Sequence, residues 1–548
     1  MYKYIPILIP VALLLCTACS HKQPADTLAA EIPTVKQWAP GDIRNLPRLN
    51  VERGLSIKTT QASPGYVLFH PSQGTDTYLM NLDGDIVHKW NGDLNSLNSR
   101  LLDDGRIMRL DRDPDFPVFD GGGQSGVLRE YSWDGELLWD FEYATEDYLT
   151  HHDFEVMPNG NILAIAWESK TKEQAIAAGR NPDLTPEAGI WPDKIIEIAP
   201  QRPNGGRIVW EWRLWDHLVQ EFDPGKANYG KVSEHPRKVD INAHAHIPEI
   251  TAEQIEQMKK GGMMTSNATV ENRGSDMTHV NSVSYNPELD QIVISSPHYN
   301  EIWIIDHGST TKEASGSTGG RYGHGGDLLY RWGCDANFGQ GTPQDQILFG
   351  QHDARWIPEG FPGEGNLLVF NNDIYHPNSK FPHAFAALGA KNSIEISIGD
   401  LANYSAVHEL KLPIDQNGAY QLSDEGTFIS GESIWTYMAA DTLSFYSPFV
   451  SGAHRLQNGN TFITEGSTGR LFEITPTGEI VWEYLNPYND QYRLPDGSPP
   501  QPGGPFLYMQ FRGTHIPPDH PALAGKSLTA IELQPEKFTP PPPPAQSD

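Results

Sequence analysis

Histidines recur at one place in a repeated unit of this chain. Aligned copies of the unit begin with His152, His279 and His352, while a fourth copy begins with Ser451. An imidazole can act as nucleophile, acid, base or hydrogen-bond donor to an anion. One such histidine more commonly satisfies buried backbone groups. Several histidines that converge from different units predict a shared site for anionic chemistry.

The unit that positions these histidines is clearest in residues 451–484, SGAHRLQNGNTFITEGSTGRLFEITPTGEIVWEY. Asn458-Gly459 and Thr477-Gly478 are tight-turn signals between short runs in which apolar and polar residues alternate. The pattern predicts four short strands joined by three turns. Weaker copies run over residues 152–212 and 279–332.

Counting the closing strands gives six units, which end at Trp90, Trp139, Trp212, Trp332, about Leu410 and Trp482. Repeated four-stranded meanders are typical of a β-propeller. We therefore predict an all-β protein, a six-bladed β-propeller with four-stranded antiparallel blades and irregular insertions over residues 61–535. The closing tryptophans should be blade core. The first unit lacks a first strand, and residues 506–514 are expected to supply it and close the ring.

The charge of the chain bears on its partners. Its 548 residues include 70 acidic and 40 basic residues, for a net charge of −30. Such a surface repels phosphate backbones, so no nucleic-acid partner is expected.

The N-terminus predicts export. Residues 1–19 carry an apolar run that leads to Cys16-Thr17-Ala18-Cys19, which is similar to a lipoprotein signal with lipidation at Cys19. An ordinary secretory signal is the alternative. We expect a periplasmic or outer-membrane lipoprotein held at the membrane by its lipid. Residues 20–60 are predicted to be a polar tether, and residues 536–548 a proline-rich disordered tail.

Two insertions interrupt the repeat. Residues 213–278 contain one helical signal, with Thr251 as N-cap, Gln254 three residues later and Gly261 after the end. We expect this segment to lie over one mouth of the ring. Residues 376–393 form the second insertion.

Neither a metal site nor any cofactor is predicted. His244 and His246 could share one face of a strand, but no carboxylate pattern accompanies them. Asp111, Asp113 and Asp115 fit no EF-hand loop and are interpreted as a solvated acidic turn.

Several segments carry a family resemblance. They are DMTHVNSVSYNPELDQIVISS, LFGQHDARWIPEG, LVFNND and FYSPFVSGAHRLQNGNTFITEG. Together they resemble the bacterial arylsulfotransferases, six-bladed propellers that move a sulfuryl group from a phenyl sulfate to another phenol without a nucleotide donor. The resemblance implies a ping-pong mechanism through a sulfohistidine, with histidine and arginine side chains on the sulfate oxygens.

The repeat and the resemblance together give expected roles for single residues, with two departures from the family. The expected catalytic residues are His279, His352 and His454, and the expected substrate-binding residues are His152, Asn281, Asn371, His376 and Arg512. Arg512 is included because it lies near the predicted closing strand, and packing on a surface is its equal alternative. The family's nucleophilic histidine follows an aromatic-Ser step, where this chain has Pro448. The family's sulfate-binding arginine is missing, and His376 stands in about its place.

Three functions remain open on the sequence. The first is sulfuryl transfer between aryl compounds, with an aryl sulfate and a phenol as substrates. The second is hydrolysis of an aryl sulfate. The third is a non-catalytic exported propeller that binds an anionic or aromatic ligand.

Overall fold

The structure is a computed structural model that describes residues 51–72, 74–113, 118–245, 247, 250–260, 264–342, 345–372, 404–440, 444–489 and 508–538. The predicted signal peptide with Cys19, the insertion at 376–393 with His376, and His246 and Asp115 lie outside these residues.

Six antiparallel sheets form the body of the protein, and the first strand of each lies next to its counterpart in a neighbouring sheet. From the centre outward, blade 1 consists of Gly513–Ile516, Tyr66–Phe69, Asp76–Asn81 and Ile86–Asn91. Blade 2 consists of Ser96–Leu101, Ile107–Arg112, Gly126–Tyr131 and Leu137–Glu142. Blade 3 consists of Tyr148–Val156, Ile162–Glu168, Asp193–Pro200 and Gly206–Arg213. Blade 4 consists of Ser282–Asn286, Gln291–Ser296, Glu301–Asp306 and Tyr330–Trp332. Blade 5 consists of His352–Trp356, Leu367–Asn371, Ala406–Lys411 and Glu432–Tyr437. Blade 6 consists of Gly452–Arg455, Thr461–Glu465, Arg470–Ile474 and Ile480–Leu485. The protein is a six-bladed β-propeller, as predicted.

Both ends of the described chain close the ring. Gly513–Ile516 is the inner strand of blade 1 and pairs antiparallel with Tyr66–Phe69, which confirms that the C-terminal segment supplies the missing strand. The strand begins at Gly513, near the end of the predicted 506–514 window, and runs two residues beyond it. Gly54–Lys58 adds a fifth strand outside Ile480–Leu485 of blade 6. The predicted tether is therefore wrong for residues 54–58, because this short polar segment gains its hydrogen bonds from an otherwise open blade edge.

The boundary of blade 5 also differs from the sequence expectation. Leu410 lies in the third strand, Ala406–Lys411, and the closing strand is Glu432–Tyr437. That closing strand is mostly exposed. It therefore lacks the buried tryptophan that marks the end of the other units. For this reason the sequence pattern predicted the end of this unit one strand too early, at Leu410.

Buried aromatic and aliphatic side chains fill the spaces between blades. The predicted closing tryptophans are at most 2% exposed, which confirms them as core: Trp90, Trp139, Trp212, Trp332 and Trp482. One cluster joins blades 3 and 4, and another joins blades 6 and 1. Burying each large side chain contributes roughly 1.5–3 kcal/mol before the entropy cost of ordering it.

The insertion after blade 3 contains the predicted helix, Ala252–Lys260. The Thr251 backbone N–H donates to Gln254 Oε1 over 2.8 Å, and the Gln254 N–H donates to Thr251 Oγ1 over 3.2 Å, which is the predicted capping pattern. Two short parallel strands, Leu218–Val219 and Val239–Asp240, lie in the same insertion.

Two more short helices, Lys172–Ala177 and Thr311–Ala314, follow strands of blades 3 and 4. None of the helices in the described ranges has the length and apolar character needed to cross a membrane. The predicted tail is docked at its start, since the Phe538 N–H donates to the Pro487 carbonyl over 2.9 Å.

Candidate functional site

The inner strands bring two of the predicted histidines into contact. The rings of His152 and His279 lie with centroids 4.5 Å apart at 78°. His298, which the sequence did not single out, stacks on His279 with centroids 4.9 Å apart. The resulting cluster is the candidate site.

The backbone at the start of these strands is strained. His152 and His279 have φ values of 58° and 53°, and Asp353 and Ser451 occupy the same left-handed region at 58° and 89°. Each such residue costs roughly 1–2 kcal/mol. A bulge interrupts the strand pairing around His152. The same left-handed conformation recurs near the inner strands of four blades, and such outliers concentrate at functional sites.

A carboxylate–imidazole hydrogen bond, here called the His279 relay, joins Asp276 to His279. His279 Nδ1 donates to Asp276 Oδ2, while Asp276 Oδ1 accepts the His279 backbone N–H over 3.1 Å and Trp167 Nε1 over 3.2 Å. Burial alone would raise the pKa of Asp276, but the charge and hydrogen bond of His279 outweigh it and lower that pKa to about 2. Burial lowers the pKa of His279, and the charge of Asp276 overcomes this, so the net pKa is raised. His279 is 18% exposed, and its Nε2 makes no hydrogen bond with the described part of the chain. It presents a proton to the channel.

A second relay ends at His152. His151 Nε2 lies 2.8 Å from Asp193 Oδ1, and His151 Nδ1 lies 2.7 Å from His152 Nδ1. The His151 ring stacks on Trp167 at a centroid distance of 4.0 Å. Burial, followed by the charge of His279, holds the pKa of His152 well below its ordinary value. His152 is therefore a neutral imidazole beside a protonated one.

His352 has its ring nitrogens occupied. Nδ1 donates to Asn372 Oδ1 over 2.8 Å, and Nε2 accepts the Val450 backbone N–H over 3.2 Å. Burial, with the charge of Arg512, lowers the pKa of His352 to about 3. This geometry favours a structural role for His352 rather than the expected catalytic one. Its neutral ring has both nitrogens bonded and holds the loop that contains Pro448.

Arg512 spans the channel from the segment that leads into the closing strand. Nη1 donates to the Ser451 carbonyl over 2.5 Å, Nη2 to the Asn281 carbonyl over 3.4 Å, and Nε lies 3.1 Å from Asp353 Oδ1. The side chain is 4% exposed. Its hydrogen-bond donors join blades 4, 5 and 6. Its positive charge makes no direct contact with the described residues of the cluster but helps to lower the pKa of His152.

The two asparagines differ in their availability. Asn371 uses its side chain to bond the loop before blade 5, where Oδ1 accepts the Phe349 N–H over 2.8 Å. Asn281 donates from Nδ2 to the Gln351 carbonyl over 2.8 Å, but its buried Oδ1 has no partner among the described residues. Of the two, only Asn281 retains an atom for a ligand.

His454 lies apart from the cluster. Its Nε2 accepts the His515 backbone N–H over 3.2 Å, which links blade 6 to the closing strand of blade 1. Burial, followed by the charge of Arg355, lowers its pKa to about 3. No ring contact or hydrogen bond within the described ranges joins it to His152 or His279.

Metal-binding geometry occurs at one place in the part of the chain that the structure describes. Ligand atoms of Asp276, His279 and His298 lie within 4.8 Å of one another. Ordinary hydrogen bonds account for this grouping, since His298 Nδ1 lies 3.1 Å from the Asp276 carbonyl. Elsewhere, Asp111 is fully buried beside Arg109 at 3.0 Å, so it is not part of a solvated acidic turn.

Sequence reasoning missed His151, Asp193, Asp276 and His298. The Asp-x-x-His spacing of Asp276 and His279 was visible and is the signal that could have found one relay. The other depends on Asp193, which only the third strand of blade 3 brings beside His151.

The strand order and the cluster define a β-propeller with a histidine-lined channel. The family model described as arylsulfotransferase (ASST) matches residues 56–489, most of the chain. The chain belongs to the arylsulfotransferase family.

No curated protein matches the chain. Among solved structures, a protein of unknown function from Bacteroides caccae is similar at 12% identity and a TM-score of 0.36, covering 77% of this chain and 94% of that one. Virginiamycin B lyase from Staphylococcus aureus is similar at 9% identity and a TM-score of 0.28, covering 81% and 90%. The periplasmic gluconolactonase of Pseudomonas aeruginosa is similar at 8% identity and a TM-score of 0.31, covering 77% and 96%.

Proposed function

We propose that this protein transfers a sulfuryl group from an aryl sulfate to a phenol at the His152–His279 pair. The observation that carries the proposal is the contact between a neutral and a protonated imidazole, at a ring distance of 4.5 Å, in a member of the arylsulfotransferase family. Environments that push the pKa values of neighbouring groups apart are typical of acid–base pairs in active sites.

The chemistry suits this pair. Sulfuryl transfer, like phosphoryl transfer, passes through a loose transition state with negative charge on the equatorial and leaving oxygens. His279 is placed to donate its Nε2 proton to a leaving phenolate or to a sulfate oxygen. Asp276 keeps the ring protonated and fixes its orientation. Asn281 Oδ1 can only accept a hydrogen bond, so it is the further candidate for contact with the hydroxyl of the phenol rather than with a sulfate oxygen.

Incubation with a chromogenic aryl sulfate, with and without a phenol, tests the proposal. Release of the chromophore that depends on the phenol and yields a sulfated phenol is the expected result. Continued release without any acceptor, beyond the single equivalent that sulfation of the protein would give, would make the protein a hydrolase. No release with either would leave the third alternative, a ligand-binding propeller.

A matched pair of variants ties activity to the cluster. His279→Ala should lower turnover about 100- to 1000-fold, as loss of one donor to a developing charge does elsewhere. His244→Ala, in the insertion beside Asn337, removes an imidazole that is outside the cluster and should leave turnover unchanged.

We also propose that Cys19 carries lipid and that the protein is exported to the periplasm or outer membrane. Metabolic labelling with a fatty acid, compared between the parent and Cys19→Ser, tests this. Equal labelling of both would contradict it.

A further inference from the structure

We propose that His152 is the nucleophile that receives the sulfuryl group, with His151 and Asp193 as positioning residues. The inference rests on the proposed function. It answers a question that the sequence leaves open, because Pro448 stands where the family resemblance places the nucleophile and proline has no nucleophilic side-chain atom.

The hydrogen bonds assign the protons. An ionised carboxylate only accepts, so the His151 nitrogen that lies 2.8 Å from Asp193 Oδ1 must carry a proton, although the contact is bent. Asp193 Oδ2 is held by the Val280 N–H over 2.8 Å and by Thr278. His151 Nδ1 then has a lone pair and accepts from His152 Nδ1 over 2.7 Å. The lone pair of His152 is therefore on Nε2.

That nitrogen is available. Among the described residues, no hydrogen bond is made to His152 Nε2, whereas the Nδ1 proton and the backbone N–H are used by His151 and the Gly123 carbonyl. A neutral imidazole with a fixed tautomer is an activated nucleophile, by the logic of a base oriented by a third group.

The other imidazoles are less suited. His279 carries a proton on the side that faces the channel, because Asp276 raises its pKa. Both nitrogens of His352 are bonded, and His454 is tied to the closing strand. The Asp193–His151–His152 relay and the Asp276–His279 relay therefore meet where the two rings are in contact. The first leaves a lone pair on His152 Nε2, and the second leaves a proton on His279 Nε2.

His152 Nε2 forms a bond to sulfur as the aryl S–O bond breaks, and the electron pair of that bond goes to the phenolate oxygen. His279 gives that oxygen its Nε2 proton. The positive charge that develops on His152 is relieved when its Nδ1 proton moves to His151, which Asp193 stabilises as a cation. The acceptor phenol then returns its proton to His279 and attacks sulfur, the N–S bond electrons return to Nε2, and the proton held by His151 returns to Nδ1 of His152.

The glycines beside the cluster offer a matched geometric test. A Cβ on Gly123 would lie 2.3 Å from the His152 ring, and its φ of +78° adds strain to any side chain. A Cβ on Gly122 would lie at an ordinary 3.6 Å from the His279 ring. Gly123→Ala should displace the nucleophile and abolish turnover, while Gly122→Ala should retain it.

The deciding experiment is to trap the intermediate. The full-length protein is mixed with an aryl sulfate without acceptor and quenched in alkali, and the sulfated peptide is mapped by mass spectrometry. A sulfuryl group on His152, absent in His152→Ala, is the expected result. A label on His279, His352 or His454, or turnover by the parent with no labelled residue, would overturn the assignment. A parent that neither turns over nor labels would instead remove the proposed function itself.

The relay is tested by a rescue. His151→Ala should lower kcat about 100-fold with little change in KM, in the range that acid–base positioning contributes. His151→Asn places an acceptor oxygen near the Nδ1 position and should recover most of that loss. If the Ala and Asn variants lose kcat equally, in step with a lower melting temperature, His151 is only structural and the relay is wrong.

Discussion

At the scale of single residues, the neighbouring imidazoles of His152 and His279 have pKa values that are shifted in opposite directions. The charge of Asp276 raises the pKa of His279, whereas burial and the charge of His279 lower the pKa of His152. Two identical side chains can therefore serve as acid and nucleophile at the same pH.

This arrangement predicts a pH profile. The pKa of His279 is raised, so activity that needs its proton should be present at pH 6.5 and fall as the pH rises through the raised value. Asp276→Asn removes the charge that raises this pKa, while burial, which lowers it, remains. The alkaline limb of kcat/KM should therefore move to lower pH. A profile identical to the parent would contradict the role of Asp276.

His352 predicts a loss of stability. His352→Ala leaves the Val450 N–H and Asn372 Oδ1 without their partners, at a cost of ~1–3 kcal/mol for each buried group. Urea unfolding should show this loss. His244→Ala, which removes an exposed imidazole in the insertion, should change the unfolding free energy much less. Equal losses would mean that the buried hydrogen bonds of His352 do not stabilise the fold.

A third prediction concerns His307, which joins blades 3 and 4. Its Nδ1 lies 2.6 Å from Asp290 Oδ1 and its Nε2 lies 3.2 Å from Glu197 Oε2. Burial lowers the pKa of His307, but hydrogen bonds to Asp290 and Glu197 outweigh it and raise the pKa to about 9.

Because the folded pKa of His307 is above the unfolded value, its contribution is complete below about pH 6.5 and is lost as the pH rises through about 9. The size is ~3 kcal/mol at most. The difference in unfolding free energy between the parent and His307→Gln should shrink over this window. A difference that stays constant with pH would show that the charge of His307 is not involved.

Alignment of the repeat could place His152 and His279 together, because equivalent positions of neighbouring blades meet at the channel. It could not distinguish His352 from them. The partners of His352 are Asn372 and Val450, and Val450 comes from the loop that leads into blade 6. Equivalent backbone positions therefore carry different chemistry where the neighbouring loop differs.

At the scale of elements, the two closing strands are not equivalent. Gly513–Ile516 is the inner strand of blade 1, and its loss exposes the edge of Tyr66–Phe69 at the channel. Gly54–Lys58 covers only the outer edge of blade 6. A chain that ends at Pro505 should therefore lose far more unfolding free energy than a chain that begins at residue 59.

Urea unfolding of both truncations checks this order, and removal of residues 540–548 serves as the control that should change nothing. If the chain that ends at Pro505 melts like the full protein, the closing strand is not needed for stability.

The strand pattern predicted the units that end in a buried tryptophan and failed where this signal was absent. Glu432–Tyr437 and Gly54–Lys58 are both mostly exposed. Both are edge strands that depend on backbone pairing more than on side-chain burial. A sequence shows side-chain burial far more clearly than backbone pairing.

At the scale of the whole molecule, Cys334 reports on global unfolding. Its thiol is 3% exposed, and burial, followed by the charge of Glu301, raises its pKa to about 12. Reaction with a thiol reagent needs the thiolate, so it should be very slow in the native protein and fast in denaturant. Cys334→Ser should abolish the reaction that appears on unfolding. Rapid native labelling at Cys334 would contradict a closed ring.

The two-ended closure also has a consequence for how the chain is made. Blades 2 to 5 are contiguous in sequence, so each can form as soon as its own residues have left the ribosome. Blade 1 is synthesised before blades 2 to 5 but receives its inner strand from residues 513–516, which follow blade 6 in the sequence. A nascent chain therefore carries an incomplete first blade with an unpaired edge until all six blades have been made. The ring can close only after residues 513–516 have left the ribosome, and before that the unpaired edge is open to aggregation or to a chaperone.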